Sequence, residues 1–206
     1  MGHYANEKKP PKSMFRSEEI RLLHVTGRRC DDFADHVLFA LALGTALRVH
    51  EISALDVVDV YNENHGARQR LELTVFKHRR GDDEETTQEV MIGDALRKKL
   101  SAFYKWKKTR RHELNDCAPL FVVRGGRRMS ARRMRERFEQ WRKKYLFHDW
   151  LSFHSLRHTH LQRLYESTGN ILLVSKQARH KKVSTTMIYA QPSSEEVLKA
   201  INAMEA

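Results

Sequence analysis

A run that begins at Asp31 or Asp32 and ends at Thr45 carries Phe33, Val37, Leu41 and Gly44 at i, i+4, i+8 and i+11. That period belongs to a helix. Leu38 and Ala42 broaden its apolar stripe, so the helix is expected at the centre of the fold, with other elements packed around it. Gly44 allows close packing against a neighbour or a helix end. The longest unbroken apolar run, Val37 to Leu43, is too short to span a bilayer.

From residue 57 the period changes. Val57 to Tyr61, Arg70 to Phe76 and Thr86 to Ile92 alternate or are β-branched, and the stretches between them are rich in Asn, Gly and Asp. This predicts a three-stranded antiparallel sheet. The rest reads as helix. A short one is capped by Ser17 with Ile20, Leu23 and His24 inward. One runs from Asp94 to about Arg111 and one from Ser130 to about Tyr145; three more start near Ser155, Asn170 and Ser184. The expected class is α+β, mainly α-helical, with one small sheet. Residues 1–16 read as a flexible basic arm. Ser193 caps a last amphipathic helix, 193–206, that can fold back on its own core or dock on a neighbouring subunit.

Lysine and arginine number 38 against 26 aspartates and glutamates, a formal charge of +12 on 206 residues. Such a balance favours a polyanionic partner, nucleic acid first. Cys30 and Cys117 give neither a disulfide framework nor a paired-cysteine zinc spacing, and Met1 to Lys12 lacks a signal-peptide apolar segment. A reducing cytoplasm fits, on the nucleoid if the partner is DNA. Basic residues are densest between Arg124 and Tyr145, where ten face only Glu136 and Glu139. Met134, Phe138 and Trp141 make the inward stripe of that helix. Arg132, Arg133, Arg135, Arg137 and Arg142 point elsewhere. With Arg127, Arg128, Lys143 and Lys144 they are the expected contacts to double-stranded DNA.

Near the C-terminus stand His154, Arg157, His180 and Tyr189. None is acidic, so a divalent metal has no carboxylate to sit on. What the set can hold is a phosphate diester: Arg forks onto non-bridging oxygens, His donates hydrogen bonds, and Tyr supplies an oxygen nucleophile. His154, His158 and His160 could instead be metal ligands, since the first two are i, i+4 apart; no Glu or Cys lies nearby to finish that site. Upstream, Arg48 sits between Leu47 and Val49, three residues before Glu51, which places it at a cleft rather than in open solvent. The basic run Lys77-His78-Arg79-Arg80 reads as a hairpin tip able to deliver one lysine to a leaving oxygen.

At these residues the chain resembles the tyrosine recombinases, the family of phage integrases and Xer-type resolvases. Thr45 to Ile52 resembles the family's first arginine box, His154-Ser155-Leu156-Arg157-His158-Thr159 its HxLRHT box, and His180 to Tyr189 its GHxxxxTTxxY ending. The resemblance implies a recombinase catalytic core over residues 17–192. It implies that Tyr189 attacks the scissile phosphate and becomes linked to the 3′ phosphate, freeing a 5′ hydroxyl. Arg48 and Arg157 clamp the non-bridging oxygens, and His154 and His180 add hydrogen bonds, one helping with the tyrosine proton. Lys77 protonates the leaving hydroxyl, and Glu51 steadies the site. No metal or nucleotide cofactor is implied. Self-association on DNA, as dimer or tetramer, is. Two positions depart from the family pattern: Ala46 and Arg179 stand where it usually has Gly. Most members also carry an N-terminal helical domain that closes over DNA. The short arm before Ser17 here implies a short member, similar to the fimbrial phase-variation recombinases, or an excised catalytic fragment.

Two alternatives are open on the residues alone. A type IB topoisomerase shares the active-site plan, and a basic DNA-binding regulator needs no catalytic set. A lone Arg-Gly-Gly at 124–126 is weak evidence for RNA and reads better as a basic turn.

Overall fold

The computed structural model describes residues 13–79, 82–180 and 183–189, with the side chains of all of these except 74–79, 82–86 and 183. Helix α2 (Phe33–Thr45) is buried at every residue from Asp35 to Leu43. It packs against α1 (Arg16–Thr26), α5 (Asp94–Thr109) and α7 (Phe153–Thr168). Burying Val37, Leu38, Phe39 and Leu41 contributes about 1.5–3 kcal/mol each relative to exposure. Gly44 is what lets α5 approach: a Cβ there would stand 2.7 Å from Leu96 Cδ2. The polar residues on α2 are matched. Asp35 accepts from Trp141 Nε1 at 2.8 Å and from Arg137 at 3.2 Å. His36 meets Lys99 Nζ at 2.9 Å and Thr26 Oγ1 at 3.1 Å.

The sheet differs from expectation. Among the described residues it has two strands, β1 (Arg70–Arg79) and β2 (Asp82–Met91), antiparallel in the register Leu71 to Val90 and Lys77 to Glu84. The expected first strand is instead a helical turn, α4 (Val57–Val60). Asp59 closes it by accepting the Asp56 amide at 2.7 Å, and Val57 and Val60, three apart, are buried while Val58 is exposed. Both strands also extend further than expected, so Lys77, His78 and Arg79 lie within β1 rather than in the connecting loop.

Helix α1 turns inward a face shifted from the expected one: Leu22 and Val25 are buried and Leu23 packs against the core as expected, while Ile20 is 55% exposed and His24 is exposed. Lys107 of α5 is buried and donates to the carbonyls of Pro119 and Leu120, both at 2.8 Å. Burial pushes its pKa down to about 8. Helix α6 (Ala131–Lys144) buries Met134, Phe138 and Trp141 as its period requires, with the Ser130 hydroxyl accepting from the Arg133 amide. After α7, closed by Gly169 at φ 61°, α8 (Ile171–Ala178) begins at an Asn170 cap. The helix expected from Ser184 is two 3₁₀ turns, Val183–Thr185 and Met187–Tyr189. The expectations for residues 1–12 and 193–206 lie outside the described residues. Among those described, no helix is long and apolar enough to cross a membrane.

Candidate active site

Helix α2 stops where Ala46 turns left-handed at φ 56°. The chain then extends through Arg48, which caps α3 (Val49–Ala54) rather than lying inside a helix. Glu51, in the first turn of α3, accepts the Arg48 amide at 2.5 Å and its guanidinium at 3.1 Å. Arg48 keeps about a third of its side chain exposed (36%), so it is held at a surface and open to a ligand.

Arg157 enters from the first turns of α7 and is buried. Its guanidinium donates to the Ala46 carbonyl, to the Ala178 carbonyl at 2.7 Å and to His180 Nε2 at 3.2 Å. It thus ties the end of α2 to the end of α8, meeting carbonyls that helix termini leave free. Burial, then the charges of Arg48 and Arg179, lower its pKa to about 10, which leaves it cationic near neutrality. Because Arg157 can only donate, His180 Nε2 accepts, and the ring proton sits on Nδ1, 2.9 Å from Thr186 Oγ1. Burial, followed by Arg157, Arg48 and Arg179, drops His180 to about 4. His154 is lowered too, by burial and then Arg157 and Arg48.

Tyr189 is 4% exposed, and its hydroxyl lies 2.6 Å from His158 Nδ1. Burial raises the phenol to about 12, with Arg157 opposing. His158 falls to about 4, through burial and then His154, Arg157 and His180. A neutral imidazole with its proton on Nε2 accepts the phenol O–H. Sequence reasoning weighed His158 only as a metal ligand; the i, i+4 spacing from His154 that suggested a metal puts the two rings at right angles, 4.4 Å between centroids. His160 faces away, against the Leu43 carbonyl at 2.8 Å. Among the described residues no three His, Cys, Asp or Glu gather as a metal set.

A second residue was passed over. Arg179 ends α8 in the left-handed region at φ 54°, and its guanidinium pairs with the Glu51 oxygen that also takes the Arg48 amide. Burial raises the Glu51 carboxyl, but Arg179, the Arg48 amide and the Arg48 charge outweigh it and hold the group below its ordinary value. The available signal was an arginine standing at a position where the resemblance has Gly.

The structure therefore brings Arg48, Glu51, His154, Arg157, His180 and Tyr189 into one connected cluster and adds His158 and Arg179. Lys77 lies on β1 opposite Glu84; its side chain is outside the described residues. The basic residues divide. Arg128 is committed to the carbonyls of Ser53, Ala54 and Leu55 and to the Asp56 carboxylate. Arg137 is turned to Asp35, Arg132 and Arg133 pair with Glu136, and Arg142 and Lys143 with Glu139. Arg127 and Lys144 are exposed, the latter over the Trp141 ring at 5.2 Å. Arg135 lines a cleft of about 470 Å³ with His154 and Arg157, over a floor of Leu47, Phe138 and Phe153.

The profile of the Phage integrase family matches residues 12–196. The chain is similar to tyrosine recombinase XerC of Vibrio cholerae serotype O1, 30% identical over 181 residues, 87% of this chain and 53% of that protein. It is 29% identical to XerC of Neisseria gonorrhoeae over 157 residues, 76% of this chain and 47% of that protein. It thus spans about half the length of the curated relatives it matches. Among solved structures, XerA recombinase aligns with a TM-score of 0.74 at 18% identity, covering 97% of this chain and 67% of that one. The catalytic domain of bacteriophage HP1 integrase aligns at 0.58 and 19% identity, covering 92% and 93%. At these identities the structures establish a shared fold.

Proposed function

Because this chain belongs to the phage integrase family, we propose that it is a site-specific DNA recombinase whose Tyr189 cleaves one strand through a 3′-phosphotyrosyl intermediate. The observation that carries this is the Tyr189 hydroxyl on a neutral His158, 2.6 Å away, beside a cluster holding the buried Arg157. A phenol held near 12 does not ionise by itself near neutrality, so its proton must leave as the oxygen attacks phosphorus. His158 Nδ1 is the acceptor. Charge that gathers on the non-bridging oxygens meets Arg48 and the N–H groups of Arg157 left over from its three contacts. His154 donates to the same phosphate, and His180 joins it when Arg157 turns from Nε2 to an oxygen and the phosphate charge lets Nε2 take up a proton. Lys77 protonates the 5′ oxygen as it leaves. The phosphotyrosyl bond conserves the energy for rejoining to a partner strand.

Residues 17–192 form the catalytic unit in this reading, supported by the fold shared with the HP1 integrase catalytic domain. DNA as partner is supported by the charge of +12 and by names: the XerC relatives are tyrosine recombinases, and a Tn1549 transposon integrase of the same fold was solved with circular intermediate DNA. Arg127, Arg132, Arg133, Arg135, Arg142, Lys143 and Lys144 are the groups offered to phosphates. Self-association on DNA goes with the large apolar residues left exposed near the C-terminal end, Leu172 and Leu173 of α8 and Met187. A cytoplasmic, nucleoid-associated location goes with this activity.

The test is capture of a covalent adduct on nicked DNA drawn from a randomised or genomic pool. The wild-type chain is expected to be trapped, and Tyr189→Phe to bind without forming the adduct. An adduct from Tyr189→Phe would assign the nucleophile elsewhere.

A further inference from the structure

Arg179 is an expensive residue for the fold to keep. Its backbone sits at φ 54°, a region L-residues with a Cβ rarely adopt and glycine enters freely. Its side chain is only 2% exposed, so a full positive charge has left water. Two of its nitrogens, Nε and NH1, have no hydrogen-bond partner among the described residues. Nothing in the packing of α8 asks for any of this, since Gly would close the helix at no such cost.

What Arg179 touches accounts for it. Among the described residues its ion pair is with Glu51, the carboxylate that also holds the amide and guanidinium of Arg48. Two guanidinium groups, of Arg48 and Arg179, therefore share one carboxylate, and Arg157 is near enough to feel its charge. If Arg179 were absent, both oxygens of Glu51 would be left to Arg48, fixing its side chain as a neutralised pair. With Arg179 on Oε2, only Oε1 goes to the Arg48 side chain, and the cluster retains net positive charge toward an incoming oxyanion.

Resting on the phosphate-handling site proposed above, we propose that Arg179 is a positioning residue of that site: through Glu51 it orients Arg48 and keeps its charge available to a phosphate group. Strain stored at a functional position is the expected companion of such a role.

The test compares Arg179→Gly, Arg179→Ala and Arg179→Lys in the 206-residue chain. Inorganic phosphate is the probe, titrated against chloride at matched ionic strength, alongside thermal midpoints. Arg179→Gly is expected to melt higher than wild type and to bind phosphate about tenfold more weakly, the loss of one charge-assisted contact. Arg179→Ala removes the buried charge and the unpartnered nitrogens but keeps a left-handed Cβ, so it should lose the same affinity with a smaller gain in midpoint than Arg179→Gly. Arg179→Lys should recover part of the affinity. Equal phosphate affinity in wild type and Arg179→Gly would overturn the proposal, as would a wild-type chain that binds no phosphate. The phosphate readout is independent of strand cleavage. Expected phosphate effects with no adduct from any DNA would remove the recombinase reading and leave the role of Arg179 standing.

Discussion

The imidazole of His158 lies 2.6 Å from the hydroxyl of Tyr189. One residue comes from α7 and the other from a 3₁₀ turn 31 positions later, and both are largely shielded from water. The pairing holds the phenol neutral in the absence of DNA, beside a base that is itself neutral. In the proposed function an arriving phosphate acts on this pair: its negative charge offsets Arg157, which with burial and the neighbouring histidines keeps His158 unprotonated.

If His158 takes the tyrosine proton, His158→Phe should slow adduct formation by about 10²-fold or more. It should also cost about 1–3 kcal/mol of stability, because the buried hydroxyl loses its partner. His158→Gln separates the two effects, since an amide oxygen can accept the hydrogen bond but cannot carry the proton away. Single-turnover cleavage of nicked DNA reads the difference, and a Gln variant that cleaves at the wild-type rate would reduce His158 to a holding role.

Acid should weaken the fold before the carboxylates titrate. His36, His158 and His180 are each held at about 4, chiefly by burial, against an ordinary 6.5. Between those values the unfolded chain binds more protons than the native one. Their share of the stability is therefore complete above pH 6.5 and is lost progressively as the pH falls toward 4. Each is worth at most about 3 kcal/mol, less for the partly exposed His158 and His180. Urea denaturation at pH 7.0, 6.0 and 5.0 is expected to show a steady fall, and His36→Gln a shallower one. A flat profile over that range would contradict the buried neutral state of all three.

The basic residues should separate into two kinds. Arg128→Ala removes the donor to three carbonyls near the end of α3 and the partner of Asp56, so it should destabilise by about 2 kcal/mol. Arg132→Ala and Lys143→Ala alter exposed side chains and should leave stability within about 0.5 kcal/mol. Each of these should instead lower the slope of log affinity for duplex DNA against log salt by about 0.9 if its phosphate contact is lost. An Arg128 variant with unchanged unfolding free energy would place that residue back among the DNA contacts.

Much of this organisation was legible in the chain. The apolar period of α2 and the Met134, Phe138, Trp141 stripe of α6 exposed their buried faces, because a 3.6-residue repeat leaves few alternatives. Arg48 and Glu51 were readable as partners from spacing alone. Val57 to Val60 was not: four β-branched and acidic residues fit a strand or a turn of helix equally, and the choice rests on one Asp59 cap. The burial of Lys107 was not legible either, because residue type says solvent, whereas its ammonium finds two carbonyls inside. His158 and Arg179 escaped because their roles exist only once α7, α8 and α3 converge.

Ala46 tests how finely opposing terms balance at the other left-handed position of the site. At φ 56° an Ala is strained by about 1–2 kcal/mol, which glycine would relieve. Against this, Ala46 is fully buried, in a cluster with Leu161, Val174, Ala178 and Tyr189, and losing its methyl costs about 0.8 kcal/mol. Glycine also gives the unfolded chain more freedom, about another 0.5–1 kcal/mol. The sums nearly cancel, so Ala46→Gly should unfold within about 0.5 kcal/mol of wild type. Strand cleavage should persist, since Arg157 holds the carbonyl of residue 46 and not its side chain. A loss above about 2 kcal/mol would instead show that the methyl is a packing element beneath Tyr189, whose cost exceeds simple transfer because the gap does not close.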